Sequence, residues 1–126
     1  MELSRDNDGH YLHVNSVQDR HITVAGRKLE NSFLLTPRRM VEDWPVADVR
    51  VLDASSIGDI IALQPELVVL GTGMCQIFPD AAFMAALLRR GIGIEVMDNA
   101  AAARTYELLA NEGRRVVAAF ILQENG

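Results

Sequence analysis

Two short stretches of the chain concentrate reactive and ligand-binding residue types. Gly71-Thr72-Gly73 follows the apolar run 67–70, and Glu95 and Asp98 stand within and just after a second apolar run, 92–97. If the two runs are neighbouring parallel strands, the Gly-Thr-Gly turn and Asp98-Asn99 both leave the sheet at its carboxyl edge, where open α/β sheets hold ligands. The glycines invite comparison with a dinucleotide-binding turn. Gln76, however, stands where the third glycine belongs, and the next helical pattern begins several residues later. A phosphate on a helix N-terminus needs the helix to start at the glycines, so a tight backbone turn is expected here and no cofactor.

Glu95 is a carboxylate in a run that otherwise reads as buried. A buried charge must be paired, hydrogen-bonded or neutralised, and Arg104, Arg114 or the Thr105 hydroxyl is available to it; the other reading is a strand-end glutamate that is exposed or salt-bridged. As a general base it has no second catalytic group beside it in the pattern. Arg104 can pair with Glu107 three residues on along one helix face, or clamp a carboxylate or phosphate with its fork of donors. Cys75 would need a histidine to act as a nucleophile, and His10, His13 and His21 all lie in the N-terminal strands. Their spacing fits no metal-ligand signature, and no metal is expected. Trp44 beside Pro45 is either a stacking platform for a ligand or, as expected, a loop tryptophan closing the edge of the core.

The elements that position these residues follow from apolar periodicity. Residues 10–37 read as β: Tyr11, Leu12 and Val14, then 22–24, then 33–35, with polar breaks at 19–20 and 25–27, giving a hairpin or meander. Residues 50–53 suit a short strand. Ser55 or Ser56 caps a helix with Ile57, Ile60 and Ile61 on one face, stopped by Pro65. Strand 67–70 follows, then helix 81–90 with Phe83, Met84, Leu87 and Leu88 inward, terminated by Gly91. Asp98 or Asn99 caps helix 100–112, with Ala101, Thr105, Leu108, Leu109 and Ala102 inward and Gly113 as its left-handed stop. Residues 116–122 are apolar throughout and so form a central strand, and the chain frays at 123–126.

The totals set outer limits. At 126 residues, 49% hydrophobic but only 6% aromatic, the chain is long enough for one autonomous domain with an aliphatic, alanine-rich core, which favours α/β packing. The expected division is a β-rich part over 10–53 and a βαβαβ part over 55–122. A net charge of −5 argues against nucleic-acid binding. The arginine pairs at 38–39, 89–90 and 114–115 read as solvated helix ends or loops. A single cysteine allows no internal disulfide and points to a reducing compartment. Residues 1–9 are polar and acidic without a signal or transit pattern, and no run approaches the roughly 18 apolar residues of a membrane span. A cytoplasmic location without membrane insertion is expected.

Taken together, Leu70-Gly-Thr-Gly73, Gly93-Ile-Glu-Val-Met-Asp98, Ala101-Ala102, Arg104-Thr-Tyr106, Leu109, Glu112-Gly-Arg114 and Val117-Ala-Ala119 resemble the small Mth-like domain family. That family includes mitochondrial complex I assembly factor 3 and the adipogenesis-associated Mth-domain protein. The resemblance covers 65–122 well and the N-terminal part loosely. It implies a three-layer α/β fold, with a mixed central sheet, helices on both faces and an added N-terminal antiparallel β-layer. It implies no established enzymatic activity and action through protein contacts. The candidate surface it implies is Gly71, Thr72, Gly73, Glu95, Asp98, Arg104, Thr105 and Arg114. Asn99, Ala103 and Glu107 depart from the family's usual Thr or Ser, Cys and Asn.

Three readings of function result. The first is a non-enzymatic interaction or assembly-type factor with a protein partner. The second is a small-molecule, anion-binding protein or minor enzyme at the carboxyl edge, with Arg104 as clamp. The third, self-association through the N-terminal β-layer, is compatible with either.

Overall fold

The computed structural model describes residues 10–122. The expected fraying of 123–126 and the reading of 1–9 as free of targeting signals concern residues outside that span. The fold is α/β with two sheets. Strands β1 (Val14–Val17), β2 (Ile22–Val24) and β3 (Arg27–Leu29) form an antiparallel N-terminal sheet in that order. The main sheet contains β4 (Phe33–Leu35), β5 (Met40–Val41), β6 (Leu67–Gly71), β7 (Gly93–Met97) and β8 (Val116–Phe120), in the order β5-β4-β8-β6-β7. Strand β6 runs parallel to both β7 and β8, whereas β4 is antiparallel to β8. The expected mixed sheet and added β-layer are both present.

Alternation along the main sheet divides the core in two. Val68, Leu70, Val117, Ala119 and Leu34 face helix α2 (Ala81–Leu88) and the loop carrying Trp44, which is buried there and closes the core edge. Val69, Ala118, Phe120, Phe33 and Leu35 face helix α3 (Asn99–Asn111) and the N-terminal sheet. Phe33 and Phe120, opposite each other on β4 and β8, stack at 5.1 Å between centroids, a pairing that adds about 1 kcal/mol to the burial itself. Because both faces are covered, β8 is apolar throughout, as its sequence implied.

Several local expectations are corrected. The break at 25–27 is only two residues long: Ala25 and Gly26 take left-handed φ values of 50° and 80°, the tightest hairpin connection. Arg27 therefore already belongs to β3, although its exposed residues disguise it. Residues 33–35 leave the N-terminal meander and pair with β8. The expected strand at 50–53 is a 3-10 turn, Val49–Val51, capped by Asp48. The next turn, Ala54–Ile57, is capped by Asp53 rather than by Ser55 or Ser56; Ser56 completes the capping box. It leads into the short helix α1 (Gly58–Ile61).

Helix α2 stops at Leu88, which is exposed. Along α3 the buried residues are Asn99, Ala102, Ala103, Tyr106, Leu109 and Ala110, while Leu108 is 59% exposed. The inner face is thus rotated from the expected one and wider, because α3 is covered both by the main sheet and by the N-terminal layer. Tyr106 sits at that junction, its hydroxyl donating to Leu12 O at 2.6 Å and to Thr36 O at 3.3 Å. Burial pushes its pKa well above the ordinary tyrosine value.

Candidate functional site

At the carboxyl end of β6, Gly71 faces α3. A Cβ there would lie 2.4 Å from Asn99 Oδ1 and 3.2 Å from both Ala102 Cβ and Phe120 Cδ1, so only glycine lets the first turn of α3 descend this far. Asn99 is 3% exposed. Its Oδ1 accepts from Gly73 N at 3.2 Å, its Nδ2 donates to Ile121 O at 3.1 Å, and its backbone N donates to Gly73 O at 2.8 Å. Ile121 N in turn donates to Gly71 O at 2.9 Å. The buried amide thereby ties together the ends of three elements: the Gly-Thr-Gly turn, α3 and β8. It fills the space between the Gly-Thr-Gly turn and the Asp98-Asn99 turn.

The flanking residues are equally engaged. Asp98 caps α3, accepting from Ala101 N at 2.8 Å. Thr72 is 2% exposed; its hydroxyl donates to Cys75 O at 2.6 Å and accepts from Ile77 N at 3.1 Å, while Thr72 N donates to Met97 O at 2.9 Å. Gln76 reaches across to the edge strand, its Nε2 donating to Val96 O at 2.9 Å. The loop between β6 and α2 is therefore pinned at Thr72 and Gln76. Between and beyond those pins it turns Met74 (67% exposed), Cys75 and Phe78 (62% exposed) to solvent.

Gly71, Thr72, Gly73 and Asp98 thus meet at one edge. The other candidate residues spread outward from it. Strand β7 is the edge of the main sheet and not an interior strand, so Glu95 is exposed and needs no partner. Arg104 is exposed on α3, and neither side chain makes a hydrogen bond or ion pair with a described residue. The expected Arg104–Glu107 pair does not form: Glu107 is engaged by the N-terminal segment, accepting from Val14 N at 2.7 Å and Tyr11 Oη at 3.1 Å, with His13 Nδ1 at 2.9 Å. Thr105 is half-buried with its hydroxyl 3.3 Å from Met97 Sδ. Arg114 lies at the opposite, amino end of the parallel strands, ion-paired with Glu66. The hydrogen bond to that guanidinium holds the Glu66 carboxyl below its ordinary value and raises the Arg114 pKa. Among the described residues no group of three or more His, Cys, Asp or Glu is placed to hold a metal ion.

The profile of a family described as "protein of unknown function (DUF498/DUF598)" matches residues 14–121. The chain belongs to this family. The matched span contains all eight candidate residues. Among similar solved structures, a Xanthomonas campestris protein is 41% identical with a TM-score of 0.84, covering 100% of this chain and 97% of that one. A Bordetella pertussis protein described as an Mth938-like domain is 27% identical with a TM-score of 0.79, covering 100% and 95%. The NADH dehydrogenase (ubiquinone) 1 alpha subcomplex assembly factor 3 of Mus musculus is 30% identical over 112 residues, or 87% of this chain. The chain spans 60% of that relative's length. The Mth-like resemblance carried by the motifs is borne out, and DUF498/DUF598 membership extends it across the N-terminal β-layer.

The sequence left the cap of α3 open between Asp98 and Asn99, and Met74 and Phe78 were passed over. The capping position is filled by Asp98, which freed the Asn99 amide for the turn opposite. The signal for that was the pairing of a glycine at a strand end with an amide at the start of the helix crossing it.

Proposed function

We propose that this DUF498/DUF598 member is a non-enzymatic interaction factor of the assembly type, acting in the cytoplasm by docking a partner protein at the carboxyl edge of its main sheet. The observation that carries the reading is the β6–α2 loop. Two large apolar side chains, Met74 and Phe78, are held out to solvent by a loop whose backbone is fixed by Thr72 and Gln76. Exposed apolar groups on a rigid frame dock a partner with little ordering cost. Asp98 at the base of the loop, and Glu95 and Arg104 on the flank, supply a polar rim of the kind that surrounds an apolar centre in protein interfaces. The filled space between the two turns supports docking on this surface over a ligand within it. The relative named as an assembly factor supports the same class of action.

The test is affinity capture from the native cell with wild type and a Met74→Ser/Phe78→Ser variant. A partner recovered reproducibly with wild type and lost with the variant is the expected result. Equal recovery with both would move the contact away from this loop, and no partner above background in repeated captures would remove the proposal.

A further inference from the structure

At the other end of the molecule, the amino ends of β6 and β8 open into a cavity of about 460 Å³, within the size range of small-molecule sites. Four arginines line it. Arg38 and Arg39 come from the β4–β5 turn, Arg114 and Arg115 from the loop between α3 and β8. Neither pair is on a loose segment. Thr36 Oγ1 accepts from Arg38 N at 3.2 Å and Arg39 N at 2.8 Å, and Thr36 N donates to Arg39 O at 2.8 Å. Across the cavity, Gln64 adopts a left-handed φ of 56° and its carbonyl accepts from Arg115 Nε at 3.3 Å.

The charge balance is one-sided. Glu66 is the only carboxylate bonded to these four arginines among the described residues, shared by Arg114 and, at 3.7 Å, Arg115. The side chains of Arg38 and Arg39 make no hydrogen bond or ion pair with any described residue. With Glu66 and the neighbouring Glu112 set against four arginines, a chain of net charge −5 still gathers an excess of positive charge in one concavity, where the field that attracts an anion is focused. Pro37, Leu63, Pro65 and Val116 add apolar surface to the walls, beside the polar His10, Thr36 and Gln64. Guanidinium forks recognise phosphate and carboxylate oxygens in pairs, and the apolar walls suit an organic body attached to them.

We propose that this cavity binds a small organic anion, its phosphate or carboxylate groups held by Arg38 and Arg39 opposite Arg114 and Arg115 and its body against Pro37, Leu63 and Pro65. The site is separate from the docking loop, and the loss of one leaves the other intact.

Titration of the full chain with pyrophosphate and with citrate, followed by amide resonances in two-dimensional NMR, tests it and separates the two anion sources. Saturable shifts at Arg38, Arg39, Gln64 and Arg115 with either probe support the site and assign its anion class. Arg38→Ala/Arg39→Ala should weaken binding about tenfold or more, while Arg89→Ala/Arg90→Ala, removing the same charge at the end of α2, should change it by less than about twofold. The spectra of both variants report whether the fold is kept. Shifts no larger than those from matched sodium chloride, or equal weakening by the two variants, would overturn the proposal.

Discussion

The side-chain amide oxygen of Asn99 lies only 2.4 Å from where a β-carbon on Gly71 would have to sit. The two residues therefore specify each other. Gly71→Ala must either push α3 away from the sheet or rotate the Asn99 amide off Gly73 N and Ile121 O. Overpacking together with a disrupted buried amide gives an expected loss of about 2–4 kcal/mol in urea unfolding. A loss below about 1 kcal/mol would mean that the amide swings aside freely and that the bonds it makes contribute little.

A double-mutant cycle isolates the contact. Asn99→Ala alone leaves Gly73 N and Ile121 O without their side-chain partner in a closed site, at a cost of about 1–3 kcal/mol. In Gly71→Ala/Asn99→Ala the added methyl enters space the amide has vacated. The double variant should be more stable than the sum of the single effects by at least about 1 kcal/mol, as expected for residues in contact. Strict additivity would assign the clash to Ala102 and Phe120 instead.

How much of this was legible depended on the signal each residue sends. Strands β6 and β8 are continuous apolar runs bounded by proline, glycine or charge, and β8 could be placed at the sheet centre because it has no polar face. Strand β3 could not be read, since Arg27 and Lys28 are exposed and its turn uses Ala25 where Asn or Gly usually appears. The phase of α3 was lost because alanines at 100–103 look apolar on every face. Tyr106, absent from the expected inner face, is buried there with its hydroxyl satisfied by Leu12 O. The carboxyl edge was found from its two turns; that an amide fills it depended on the distance between them. The arginine cavity was invisible because its two pairs are far apart in the chain and each alone reads as a solvated end.

Glu107 fastens the N-terminal layer to α3. Both of its oxygens accept: Oε2 from Val14 N, and Oε1 from Tyr11 Oη beside His13 Nδ1. Glu107→Gln keeps the shape but offers one acceptor oxygen and turns an NH₂ group toward donors. About 1–2 kcal/mol should be lost. The loss should be local, with amide hydrogen exchange accelerated at 14–17 and unchanged in β6 and β8. Uniform acceleration through the main sheet would show that the N-terminal layer and the sheet open as one unit.

Glu66 provides a pH test of the ion pair at the cavity rim. The hydrogen bond from Arg114 lowers its carboxyl pKa in the folded state from an ordinary value of 4.5. For a carboxylate whose folded pKa is depressed, the stabilisation is complete above the unfolded pKa and disappears as pH falls through the folded one. The stability difference between wild type and Glu66→Gln should therefore be constant from about pH 7 to pH 5 and shrink only in more acidic solution. Because both groups are largely solvated, the difference should also fall as salt is added. Arg114→Ala should return the Glu66 carboxyl toward its ordinary value in an NMR titration and flatten the same acid limb. If Arg114→Ala left the titration of Glu66 where it was, the depression would have to come from Arg115 and not from the Arg114 ion pair; a wild-type difference that grew in acid would mean that the carboxyl is not depressed at all.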